Sequence, residues 1–348
     1  MRARPEVVKS TAPTRAGGVW QPLCVGAGPV TAKLINGVFG DPLLQVSLGN
    51  LPNRLLFDLG DAGAVSRRVL HKVSDVFITH AHFDHICGFP DLLRARMTGD
   101  FPACRIYGPP GTTAHISGFV AGFRWDRIED EGPELHVADI HPDRVEWSRI
   151  KVGHQMKRLT MSPVIDGVIL QAPEYRIRCR FLDHGIPVLA YAVQLPDEHH
   201  IDRDRLGPMG LAPGPWIRAL KRRIREDDLD SSLDVGEDRA ERAAELADAL
   251  VRSTPGKKLV YATDLADTRS NREALVEFAS DADLFFCEST FRQHDEAQAR
   301  RTQHLTTRAC GEIAAAASVR RLVPFHFSKR YTRGVLPVYD EIRAALKN

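Results

Sequence analysis

His80-Ala81-His82-Phe83-Asp84-His85 places four metal-liganding side chains within six residues. The run follows Asp75-Val76-Phe77-Ile78-Thr79, whose β-branched and aromatic residues predict a buried strand. A strand ending there delivers the histidines into a loop at the sheet edge. His80 and His82 stand two apart, so extended backbone projects both imidazoles to one side. Asp84 and His85 then turn away, toward a second ion beside the first. Imidazole with carboxylate is a borderline donor set that suits Zn²⁺, with Mn²⁺ or Fe as competitors.

A two-metal centre needs further ligands from elsewhere in the chain. His184, in Phe181-Leu182-Asp183-His184-Gly185-Ile186-Pro187, precedes a strand pattern, whereas Asp264 ends Lys258-Leu259-Val260-Tyr261-Ala262-Thr263-Asp264 and His326 ends Leu322-Val323-Pro324-Phe325-His326. Each is a polar ligand at the end or edge of an apolar strand. Together they would give each ion three private ligands and one shared carboxylate. A metal pair about 3.5–4 Å apart lowers the pKa of a bridging water and clamps both oxygens of an in-line displacement. That chemistry favours phosphodiester hydrolysis without excluding amides or thioesters.

The 348 residues allow one large domain or two small ones. With 47 basic and 45 acidic residues, the net charge of +2 argues neither for nor against a polyanionic partner. No apolar run reaches transmembrane length. Residues 1–28 read as a flexible tail rather than a signal peptide, since the start is polar and Pro-containing. The six cysteines are scattered without zinc-finger spacing, which suits reduced thiols and a cytoplasmic compartment.

Strands are expected at 31–36, 43–48, 54–59, 186–195, 259–263, 284–287 and 322–325. Helices are expected near 64–73, 90–97, 238–251, 270–280, 305–317 and 337–346. Residues 104–180 mix strands and loops without clear periodicity. Residues 196–235 turn polar and Gly/Pro-rich, an excursion from a core at 29–348. Strands and helices in both halves predict an α/β fold of two mixed sheets between helix layers.

Several segments also carry a resemblance. Phe77 to His85 with Gly88-Phe89-Pro90, and Leu56-Phe57-Asp58-Leu59-Gly60, are similar to signature segments of the metallo-β-lactamase superfamily. Cys287-Glu288-Ser289-Thr290-Phe291, Gln303-His304-Leu305-Thr306 and His326-Phe327-Ser328-Lys329-Arg330-Tyr331 resemble segments of its ribonuclease Z group of tRNA 3′-processing endonucleases. The resemblance runs from about residue 29 to 334. It implies an αββα sandwich with a protruding arm insertion and two Zn²⁺ per chain. His80, His82 and His184 would hold one ion, Asp84, His85 and His326 the other, and Asp264 would bridge. Asp58 would be structural support. Asp84, Glu288 and His304 form the implied catalytic set, with His304 as general acid held by Glu288.

His304 is expected at the start of a helix, where the macrodipole disfavours imidazolium while Glu288 favours it, a balance near neutrality. Gly210-Leu211-Ala212-Pro213-Gly214-Pro215-Trp216 with Leu220-Lys221 resembles the arm that grips the tRNA elbow in that group. Lys221 and Arg222 there, and Ser328, Lys329 and Arg330 beside His326, are the candidate phosphate contacts. The acidic Glu226-Asp227-Asp228 could instead neutralise the arm's basic run. The implied activity is removal of the 3′ trailer from precursor tRNA, with a homodimer as a further implication. The alternatives are a metallo-hydrolase of small substrates, such as a cyclic nucleotide phosphodiesterase, and a non-catalytic metal-binding relative.

Overall fold

The computed structural model describes residues 4–10, 15–16, 19–97, 99–128, 130–236 and 239–347. Nine strands follow one another across the first sheet in chain order: β1 (Leu23–Ala27), β2 (Val30–Leu34), β3 (Leu44–Leu48), β4 (Arg54–Phe57), β5 (Val73–Phe77), β6 (Cys104–Gly108), β7 (Glu134–Ile140), β8 (Arg144–Lys151) and β9 (Lys157–Pro163). The pairs β4–β5, β5–β6 and β6–β7 are parallel. The second sheet runs β10 (Val168–Gln171), β11 (Arg176–Asp183), β12 (Pro187–Gln194), β13 (Lys258–Ala262), β14 (Leu284–Glu288) and β15 (Arg321–Phe325), with Glu6–Val7 beside β15.

Aromatic rings join the two sheets. Phe57 and Phe77 of the first sheet meet Tyr191 of the second at centroid distances of 6.0 and 5.4 Å. Burying each such Phe contributes roughly 1.5–3 kcal/mol. The tyrosines satisfy their hydroxyls across the gap: Tyr191 donates to the Ile78 carbonyl at 2.7 Å and Tyr261 to Asp58 at 2.9 Å. Helices Phe89–Arg96 and Thr112–Ala121 pack Leu92, Leu93, Ile116 and Val120 with Val76, Ile106, Leu135 and Val137 of the first sheet. With helices Arg269–Ala279, Thr307–Ala316 and Leu336–Ala345 following the parallel strands of the second sheet, this is the αββα sandwich. No described helix is long and apolar enough to cross a membrane.

The chain forms two compact units, residues 1–194 with 257–348, and residues 195–256. The second unit outruns the excursion expected at 196–235, because the helix expected near 238–251, observed at Ala243–Leu250, packs into that unit's own core. That core contains Leu206, Leu211, Trp216, Leu220, Leu233, Val235, Leu246 and Leu250. The unit leaves the second sheet after Gln194 and returns at Lys258, which are register partners in β12 and β13. It is therefore inserted at a hairpin junction. The expected tail also differs where it is described. Glu6–Val7 adds a parallel strand and Leu23–Ala27 an antiparallel one, since both complete open sheet edges. Residues 1–3, 11–14 and 17–18 of that tail lie outside the described residues.

Candidate metal centre

Parallel strands of both sheets end at one edge, and the chemistry gathers there. Asp58 follows β4, His80 lies beyond β5, Asp264 lies just beyond β13, Glu288 ends β14 and His326 follows β15. His184 occupies the turn between β11 and β12. Asp58, Asp264 and His326 turn the chain in the left-handed region, at φ of 55°, 53° and 58°. Non-glycine residues reach this region at some cost, and such conformations gather at functional sites. His82 precedes the short helix Phe83–Ile86, which carries Asp84 and His85.

The ring nitrogens and carboxylates sort into overlapping groups. His80, His82, His184 and Asp264 form one, Asp84, His85 and His326 a second, and Asp264, His304 and His326 a third, with atoms in each within 4.8 Å of one another. Asp264 Oδ2 lies 3.7, 3.4 and 3.8 Å from Nε2 of His80, His85 and His184. His326 Nε2 and His85 Nε2 each stand 3.5 Å from Asp84 Oδ2. The second aspartate after β13, Asp267, is instead held on the surface by Arg272. All seven sequence-expected ligands thus meet at one edge, and Glu288 and His304 adjoin them.

Surrounding hydrogen bonds select which nitrogen each imidazole offers. His85 Nδ1 donates to Asp58 Oδ2 at 2.9 Å, and His184 Nδ1 donates to the Gln303 carbonyl at 2.7 Å. Nδ1 of His80 lies 3.0 Å from Thr79 Oγ1, and that of His326 lies 3.1 Å from Thr290 Oγ1. Each hydroxyl has a carboxylate for its own proton, Asp58 for Thr79 at 2.9 Å and Glu288 for Thr290 at 2.6 Å. All four rings then present a bare Nε2, the arrangement outer hydrogen bonds impose on metal-binding histidine.

The donor set fits a divalent cation on the chain's own observations. Among the described residues, buried His85 Nε2 makes no hydrogen bond and has only the Asp264 and Asp84 carboxylates near it, at 3.4 and 3.5 Å, and a polar atom left without a hydrogen bond at that depth is costly. His80 Nε2 and His82 Nδ1 face each other at 2.9 Å. Burial and the neighbouring His85 push His80 down to about 2, so it stays neutral. Burial opposes charge on Asp264 and Asp84, yet the surrounding histidines hold both carboxyls well below the usual range. Burial likewise opposes charge on His85, but Asp264 and Asp58 hold its imidazole well above the ordinary value. A cation at Nε2 would supply that positive charge in place of the proton.

Glu288 is fully buried and accepts from the Leu265 amide at 2.7 Å, from Thr290 and from His304 Nδ1 at 3.1 Å. Burial disfavours charge on His304, but Glu288 and Asp264 outweigh it and raise the imidazole to about 9. Among the chain's own groups the raising side thus outweighs the lowering one, where the sequence led to an expected balance near neutrality. The following helix starts at Thr307 with Thr306 as its cap, so His304 stands before the helix and its dipole.

The sequence-expected phosphate contacts are not all free. Arg330 pairs with Asp295 at 3.0 Å and lies over Phe291, leaving Lys329 and Ser328 as the polar groups beside His326. In the inserted unit, helix Trp216–Glu226 carries Lys221 and Arg222, and Arg222 stands 4.0 Å from Glu226. Sequence reasoning assigned no role to Thr79, Tyr261, Thr290 or Gln303, which orient the cluster. Thr79 and Thr290 lie inside the motif segments, so their positions alone carried a signal.

Residues 52–196 and 231–327 match the family model for the beta-lactamase superfamily domain. The chain is 28% identical over 292 residues to a ribonuclease Z of Deinococcus radiodurans, covering 81% of this chain and 85% of that protein. It is 30% identical over 318 residues to a ribonuclease Z of Brevibacillus brevis, covering 89% and 85%. A solved metallo-beta-lactamase fold protein of Bacillus subtilis shares the fold, with a TM-score of 0.52 at 17% identity and 92% of both chains covered.

Proposed function

The chain belongs to the beta-lactamase superfamily and, within it, to the ribonuclease Z family, and from that membership we propose a dinuclear zinc endonuclease that removes the 3′ trailer of precursor tRNA. The carrying observation is the meeting of seven imidazole and carboxylate groups beside a pair formed by buried Glu288 and half-buried His304. His80, His82 and His184 would hold one ion, Asp84, His85 and His326 the other, and Asp264 both. Mn²⁺ or Fe would satisfy the same donors. Bound there, the ions supply a solvent molecule of lowered pKa and positive charge over the phosphate oxygens.

The chain's own residues handle the proton. Glu288 fixes His304 through Nδ1, which leaves Nε2 to carry a proton to the leaving 3′ oxygen. The Glu288 carboxylate favours the protonated imidazole that a general acid requires. Lys329 and Ser328, next to His326, are placed in sequence to meet the phosphate. Asp84 serves both as a ligand and as part of the catalytic set. Lys221 and Arg222 in the inserted unit would add salt-dependent contacts to RNA phosphates. The six free cysteines support a reducing, cytoplasmic compartment. A homodimer belongs to the same reading, and sedimentation of the purified chain measures it.

Purified protein is incubated with a trailer-bearing tRNA precursor and with bis(p-nitrophenyl) phosphate, with and without chelator. The expected products are a tRNA ending in a 3′-hydroxyl and a trailer starting with a 5′-phosphate, and chelator stops both reactions. Diester hydrolysis with an untouched precursor would point to a small-substrate phosphodiesterase, and inertness toward both to a binding protein.

A further inference from the structure

Phe83 stands between His82 and Asp84 in the histidine-rich loop, yet it is 77% exposed. Phe123, at the end of helix Thr112–Ala121, is 52% exposed. These rings line a groove of about 470 Å³ that also contains Ile86, His115, Gly118 and Phe119. Exposed apolar rings that share one groove call for a ligand more than scattered ones do. His115, Gly118, Phe119 and Gly122 recur at helical spacing, so one helix face forms the wall. The opening comes from a missing side chain: a Cβ at Gly118 would meet nothing within 4 Å.

Two of the three rings are held by packing. Phe119 packs on buried Phe89 at 5.5 Å between ring centroids, and Phe123 meets Trp125 edge-on at 5.8 Å. Fixed aromatic faces, an aliphatic side and one imidazole suit a flat π-system with few hydrogen bonds. Position narrows the occupant further. Ala81, Phe83 and Ile86 line the groove while His82, Asp84 and His85 of the same loop belong to the metal-binding groups. Groove and metal-binding groups thus draw on neighbouring residues of one loop. Exposed Arg124 directly follows Phe123 and adds positive charge for a neighbouring phosphate.

We propose that this groove is a nucleobase subsite, in which an unpaired base flanking the scissile phosphate stacks on Phe83, Phe119 and Phe123. The inference rests on the nuclease reading and deepens it by naming what the substrate presents beside the cut. Stacking on aromatic side chains is tolerant of base identity, so the subsite selects an unstacked nucleotide rather than a sequence.

The test uses the zinc-loaded full chain and an RNA trinucleotide with central 2-aminopurine and phosphorothioate linkages, whose fluorescence stacking quenches. Wild type should quench the probe. Gly118→Leu, whose Cβ meets nothing within 4 Å and whose branch is aimed at occupying the groove, and Phe123→Ala should each weaken binding about 5- to 150-fold at unchanged zinc content. Phe83→Ala is read the same way where its zinc content is retained. In the cleavage arm, a precursor with an abasic nucleotide beside the cut should be processed more slowly by wild type, and Gly118→Leu should no longer distinguish it from the intact precursor. Quenching and abasic discrimination that survive Gly118→Leu and Phe123→Ala, with the precursor cut normally, overturn the subsite and leave the nuclease reading standing. Quenching that Gly118→Leu abolishes, in a protein that never cuts the precursor, supports the subsite while the tRNA reading fails. Loss of self-association in Gly118→Leu with the probe still bound assigns the groove to a second copy of the chain and overturns the proposal.

Discussion

Asp58 shows how much of the centre depends on a residue outside every ligand group. Its carboxylate accepts from the Thr79 amide at 2.7 Å, the Thr79 hydroxyl at 2.9 Å, His85 at 2.9 Å and the Tyr261 hydroxyl at 2.9 Å. Asp58→Asn keeps the size but puts a donor where these groups need an acceptor. The expected result is a 10- to 100-fold loss of zinc affinity, read by competition with a chromogenic chelator. His304→Ala separates two roles, because His304 adjoins the acid carboxylate Glu288 and also falls in one ligand-competent group. As a general acid its loss lowers turnover roughly 10²–10⁴-fold at full metal content; a parallel fall in bound zinc would make it a ligand instead. The ligands were legible because four sit within six residues and the rest end apolar strands. Asp58 was expected as structural support through the resemblance, but its partners were not, since Tyr261 carries no ligand pattern until folding brings it across 203 positions to Asp58.

At the scale of elements, close backbone approach fixes the loop. A Cβ on Gly88 would fall 2.1 Å from the Gly60 carbonyl oxygen, and one on Gly60 would fall 2.6 Å from that of Asp84. Gly88 has φ of −80°, so its requirement is for space rather than for an unusual backbone. Gly88→Ala therefore pushes the ligand loop from the segment after β4. Chemical denaturation should show a loss of about 1–3 kcal/mol, and zinc affinity should fall with it. Elements that bury one face were readable; others were not. β7 alternates only irregularly between buried and partly exposed residues, and β9 is exposed along its whole length. Neither gives the period of two that marks a strand, which is why 104–180 resisted a reading. The helix expected at 64–73 shortens to the single turn Arg67–Leu70, with only Leu70 buried.

For the whole molecule, binding and stability are linked. The cluster of imidazoles and carboxylates is assembled only in the folded chain, so an ion held by it stabilises that state by RT ln(1 + [L]/Kd), about 2.7 kcal/mol at a hundredfold excess over Kd. Chelator should lower the melting temperature and zinc should restore it, as read by circular dichroism; an unchanged transition would mean that no ion is held. The inserted unit offers a second prediction. Replacing residues 196–255 with a short Gly/Ser turn should leave diester hydrolysis near the wild-type rate, while cleavage of precursor tRNA is lost. A shorter deletion, such as 200–232, is expected to misfold, because it removes Leu206, Leu211, Trp216 and Leu220 from the core that Leu246 and Leu250 share.

The adjacency of Gln194 and Lys258 has a bearing on descent as well as on design. A segment whose two ends emerge side by side can be exchanged, lengthened or trimmed without re-threading the sheet that carries it. Lineages can then vary what is recognised while inheriting the cutting machinery unaltered, and a graft of a foreign appendage at this junction would be a direct way to re-address the enzyme.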